Sequence, residues 1–117
     1  MIKCFRYGAA LVAFFGATFA VATDWSEEVK VTEVVAGYKD GFILFRTSGT
    51  YLNPNNCSGV MYSVDPESAN VEHALSILIA AQRSGSEIAV GIDPTSCGRA
   101  GVQHLFDKIK VTRIRAL

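Results

Sequence analysis

Val29, Val31, Val34 and Val35 stand among polar residues between positions 25 and 36, the pattern of a half-buried strand rich in β-branched side chains. The alternation slips between Val31 and Val34, which a bulge or strong bend near Glu33 accommodates. Tyr38-Lys39-Asp40-Gly41 follows, and Asp-Gly tolerates the positive φ of a hairpin turn. Residues 42–47 form a second predicted strand with little alternation, as expected where both faces are covered. Residues 48–58, rich in Ser, Gly, Asn and Pro, read as a long loop, and residues 60–64 as a short third strand.

The period then changes. Val71, Ala74, Leu75, Leu78 and Ile79 recur at helical spacing, so a helix is expected to bury one wide stripe. Asp65-Pro66-Glu67 reads as its start, with Asp65 capping and Pro66 at the first helical position, and Gly85 as its C-terminal cap. Residues 87–92 make a fourth strand, 93–101 a loop, and 105–114 a fifth strand expected to be the longest. The fold class is therefore mainly β with one helix, in the order strand-strand-strand-helix-strand-strand. That order suits an OB-fold-like five-stranded barrel; the alternative is an open α+β sheet with the helix across one face.

The first 22 residues have the layout of a signal peptide. Lys3 and Arg6 are basic, residues 7–19 are apolar apart from small residues and Thr18, and Ala20-Val21-Ala22 offers small side chains for cleavage. The apolar run is shorter than the ~20 residues that span a bilayer, so no stable membrane insertion is expected after cleavage. Residues 23–117 are then one exported OB-like domain, periplasmic or secreted. Of 11 basic and 11 acidic residues, the leader removes Lys3 and Arg6, leaving 9 − 11 = −2. That charge gives no electrostatic case for nucleic acid. Lys108, Lys110, Arg113 and Arg115 read as a solvated strand end.

Cys4 leaves with the leader, and Cys57 and Cys97 remain. An even count in an exported chain reads as a disulfide. In the chain-entropy picture such a bridge stabilises a small domain by roughly 3–4 kcal/mol. In the barrel, strands three and five are parallel neighbours, which brings both cysteines to one end. Tyr51, Asn53, Asn55 and Asn56 put an aromatic ring beside three amides, a combination suited to a sugar, and Arg99 comes from a loop at the same end. Turn geometry and core cover are the competing explanations for these residues. His73 beside Glu72 and His104 near Asp107 are the only candidates for acid–base work. No metal or phosphate-loop motif is present, and no cofactor is expected.

The Cys57-Ser58-Gly59 opening of the third strand, the helix over 71–83 and the Ser96-Cys97-Gly98 loop resemble small exported bacterial proteins. These are related in architecture to the pentameric B subunits of AB5 toxins, the subtilase-cytotoxin type in particular. The resemblance implies an OB-fold, a ring-shaped homo-oligomer, glycan binding and no catalytic activity. The expected function is an exported non-enzymatic binding module for a glycan or a protein. The alternatives are a periplasmic structural or inhibitory protein that contacts a partner through a sheet edge, and a small secreted hydrolase.

Overall fold

The computed structural model describes residues 24–58 and 60–117. The proposed leader (residues 1–22), Cys4 and Gly59 lie outside the described residues. The elements are β1 (Val29–Val35), β2 (Ile43–Thr47), β3 (Tyr62–Val64), α1 (Val71–Ser84), β4 (Glu87–Cys97) and β5 (Ile109–Ala116). Their hydrogen bonding runs β1-β2-β3-β5-β4 and returns to β1 through Val29–Ile88 and Lys30–Glu87. This closed ring is the strand order of an OB-like barrel and sets the open sheet aside. Only β3 and β5 are parallel, with Tyr62, Ser63 and Val64 opposite Ile109, Lys110 and Val111.

The β1–β2 hairpin follows from local chemistry. Its register shifts between Val31 and Glu33, the bulge that the broken alternation predicts. Gly41 has φ +86° and its N–H donates to the Tyr38 carbonyl at 2.9 Å, closing the turn. Inside the ring, Val29, Val31, Ile43, Phe45, Tyr62, Val64, Ile88, Val90, Ile109 and Val111 pack with Leu78 of α1. Phe42 and Leu44 point to the other face of β2, where Met61 and Leu105 bury them. That second cluster is the reason β2 lacks alternation.

Three expectations need correction. Asp65 does not cap α1. Its carbonyl accepts the N–H groups of Ser68 and Ala69, and its carboxylate accepts that of Glu67, closing a separate turn. The helix opens instead at Asn70, whose side chain accepts the His73 N–H at 2.9 Å. Asn70 directly precedes the apolar run, and Asp65 is turned inward, only 3% exposed. Within the helix Ile79 is exposed, and Ile77 packs against the core in its place. Gly85 closes the helix as expected, at φ +74°.

The third correction concerns β4, which runs on through residues 93–97 and is longer than β5. Its register with β5 jumps from Ile92–Val111 to Cys97–Ile109, so Pro94 sits where no ladder bond is needed. The Asp-Pro-Thr-Ser composition of that stretch is compatible with a strand for this reason. Residues 101–107 are turns rather than the start of β5. They fold back over β2, and a Cβ at Gly98 would collide with the Leu105 carbonyl, so this approach requires glycine.

Cys57 and Cys97 are joined, with Cα atoms 5.7 Å apart, just outside the parallel seam. The bond indicates an oxidising, non-cytoplasmic compartment. Among the described residues no helix is long and apolar enough to cross a membrane.

Candidate functional site

The loop between β2 and β3 holds Tyr51, Asn53, Asn55 and Asn56. The Tyr51 ring stacks on Tyr62 with centroids 4.6 Å apart, and its hydroxyl accepts the Thr47 N–H at 3.0 Å. Asn53 uses both ends of its amide on Cys57, accepting from its N–H at 2.8 Å and donating to its carbonyl at 2.7 Å. Asn55 donates to the carbonyls of Asp93 and Ser96, tying the loop to β4. Asn56 is exposed and takes φ +55°, a conformation that asparagine tolerates. These residues meet around the disulfide; Tyr51, Asn53 and Asn55 each use part of their hydrogen-bonding capacity inside the protein, whereas the Asn56 side chain makes no hydrogen bond among the described residues. Burial pushes the Tyr62 phenol above its ordinary value of 10.0.

Arg99 lies beside this loop in a charged depression of about 400 Å³ lined also by Asp65, Glu67, Ser68, Asp93, Lys110 and Thr112. The guanidinium grips the two oxygens of buried Asp65 at 3.0 and 3.3 Å and reaches Glu67 at 3.2 Å. Such a bidentate pair satisfies a carboxylate that burial would otherwise penalise. Asp93 accepts the Thr95 N–H and hydroxyl and the Ser96 hydroxyl, with Lys110 at 3.7 Å. The Thr95 N–H above all, with the two hydroxyls and the ammonium, holds the Asp93 carboxyl below its ordinary value. The charges of this depression are thus largely matched to one another.

The two histidines are placed apart from such pairings. His73 is exposed on α1 and His104 is exposed in the β4–β5 loop. Among the described residues neither imidazole is hydrogen-bonded to a carboxylate; the Asp107 carbonyl, not its side chain, accepts the Ser58 N–H.

His104 belongs to a different cluster. Its ring lies 5.1 Å from that of Tyr38 at the hairpin tip, and Tyr38 stacks on buried Phe42 at 4.3 Å and 15°. The turn in which Leu105 and Phe106 both donate to the Val102 carbonyl drives Leu105 inward and Phe106 outward. Leu105 is fully buried, whereas Phe106 is 59% exposed and Val60 55% exposed. Phe106 borders a shallow depression of about 280 Å³ with Gly101, Val102 and Gln103. Among the described residues the Tyr38 hydroxyl, the Gln103 amide and the His104 nitrogens make no hydrogen bond to the protein. The sequence pattern places Tyr38 at the hairpin tip but assigns Phe106 to the fifth strand, with His104 at its start. Nothing local in the sequence extends the predicted 93–101 loop as far as Phe106.

The basic residues of β5 are likewise organised. Arg113 crosses Gly91 to pair with Asp24 at 2.7 Å, and Arg113 and Arg115 lie over the Trp25 ring at 4.4 and 4.5 Å. No protein-family model matches the chain, and no curated protein matches it in sequence.

Proposed function

We propose that the chain is an exported, non-enzymatic binding module whose ligand is a glycan, held on the outer face of β2 and β3. The observation that carries this reading is the aromatic pair Tyr38 and His104, mounted on buried Phe42 with its polar atoms uncommitted, together with exposed Phe106 two residues further along the same turn. Ring faces accept the C–H face of a sugar, and neutral donors and acceptors serve its hydroxyls. OB barrels use this same face, with the β1–β2 and β4–β5 loops, to hold oligosaccharides. That support is an analogy of fold; the chemistry rests on the side chains. Tyr51, Asn53, Asn55 and Arg99, half-buried and hydrogen-bonded within the protein, support the frame. Export is supported by the disulfide together with the leader-like N-terminus.

A glycan array probed with residues 23–117, and with the Phe106→Ala and Tyr38→Ala variants, tests the reading. Defined glycans should bind the parent domain and be lost from both variants. A flat array, or one that neither variant changes, would sink it. The toxin-B-subunit resemblance adds a ring-shaped homo-oligomer, which light scattering of the same domain checks: a strict monomer removes that part.

A further inference from the structure

β3 accompanies β5 only as far as Val64 opposite Val111, while β4 continues alongside β5 to Ala116. The Leu117 N–H donates to the Glu87 carbonyl. Antiparallel alternation then directs the N–H and C=O of Arg115 and Arg113 toward β4, and those of Ile114 and Ala116 away from it. The far side of β4 agrees. Val90, opposite Ile114, gives its N–H to the Ser26 hydroxyl and accepts the Ser26 N–H on its carbonyl, away from β5. Ile114 and Ala116 therefore form a sheet edge that no described strand pairs.

Helix α1 runs beside this edge and leaves a groove. One end, about 200 Å³, lies between Asn70, His73 and Thr112–Ile114; the other, about 300 Å³, lies between Ala80, Ala81 and Ala116–Leu117. Ile77 borders both, so the two depressions are neighbours along one face of the helix. From Asn70 to Ala81 a helix rises about 16 Å. From Thr112 to Leu117 a strand advances about 16 Å, so helix and edge keep step for the length of a short extended peptide.

The two ends differ in chemistry. The first has His73, the Asn70 cap and the positive end of the α1 dipole, and no carboxylate among its lining residues. Arg113 also borders it, with its charge shared by Asp24. The second is mostly small and apolar, and Leu117 there is 53% exposed. We propose that this groove takes an extended peptide segment of a protein partner, which adds a strand to β5. Its acidic side chain sits at the His73 end and its apolar one beside Ala80 and Leu117. Main-chain bonds to Ile114 and Ala116 supply the affinity, and the two ends supply the selectivity. This site is independent of the glycan ridge.

The test pans a phage-displayed library of random heptapeptides on residues 23–117. Enriched peptides should share an acidic and an apolar position and bind the Phe106→Ala variant undiminished. Ala80→Arg, at an exposed helix position, should weaken them at least about tenfold, 1.4 kcal/mol. His73→Glu should exchange the acidic preference for a basic one. Ile114→Pro removes an N–H that β4 does not use and should weaken binding also. Absence of a shared pattern, or peptides indifferent to Ala80→Arg and His73→Glu, overturns the proposal. So does self-association of the domain that Ala80→Arg abolishes, since the groove would then belong to a second copy.

Discussion

At the disulfide end, Tyr51 lays its ring on Tyr62 and accepts the Thr47 N–H, and Asn53 closes both ends of its amide on Cys57. Over β2 and β3, Tyr38 and His104 lie tilted against each other while their polar atoms meet no described protein partner. Both regions combine aromatic rings with neutral polar groups. They differ in whether the hydrogen-bonding capacity is already engaged. The bonds already made by Tyr51, Asn53 and Asn55 brace the loop, and a ligand that used those same atoms would have to displace them. The open ridge carries no such cost, and its rings are already fixed by Phe42.

A graded set of substitutions should separate brace from ridge. The largest effect belongs to the double variant Cys57→Ser with Cys97→Ser, which should lower unfolding stability by roughly 3–4 kcal/mol in urea titration. Next, Arg99→Ala strands the buried Asp65 carboxylate and should cost about 3 kcal/mol. Adding Asp65→Asn should recover part of that loss, whereas a simple surface role for Arg99 predicts no recovery. Tyr51→Phe should cost about 1 kcal/mol and speed hydrogen exchange at the Thr47 amide. Smallest of all, Tyr38→Phe and Phe106→Ser should each leave stability within about 0.5 kcal/mol of the parent. Should Tyr38→Phe prove as costly as Tyr51→Phe, the contrast between the regions dissolves.

Where a residue's role depends on its near neighbours, the chain was readable in advance. The slipped valines gave the β1 bulge, Asp40-Gly41 the hairpin, Gly85 the helix end, and the unbroken apolar run of β2 its two covered faces. The bond between Cys57 and Cys97 was legible from their even count in a chain read as exported, and the parallel neighbours β3 and β5 bring the two together. Roles set by distant partners were misread. Asp65 has the composition of a helix cap, but Arg99, from the β4–β5 loop, claims its carboxylate. Asp93 and Pro94 look like loop residues, yet the Asn55 amide and the register jump let the strand pass through them. Leu105 and Phe106 are adjacent and both apolar, so nothing local tells which turns inward; the slot between Phe42, Leu44 and Met61 decides it.

The parallel seam has a kinetic consequence. Ser63 reaches the Ile109 carbonyl from 46 positions away, and β3 offers just three residues to that junction. Closing so long an arc for so short a zipper is slow, because chain entropy opposes it before contacts reward it. Oxidation of Cys57 and Cys97 first would tether the two ends of the arc, turning a distant search into a local one. The reduced chain should therefore lag at its final folding step, while the oxidised chain, unfolded and then diluted from denaturant, should complete it quickly.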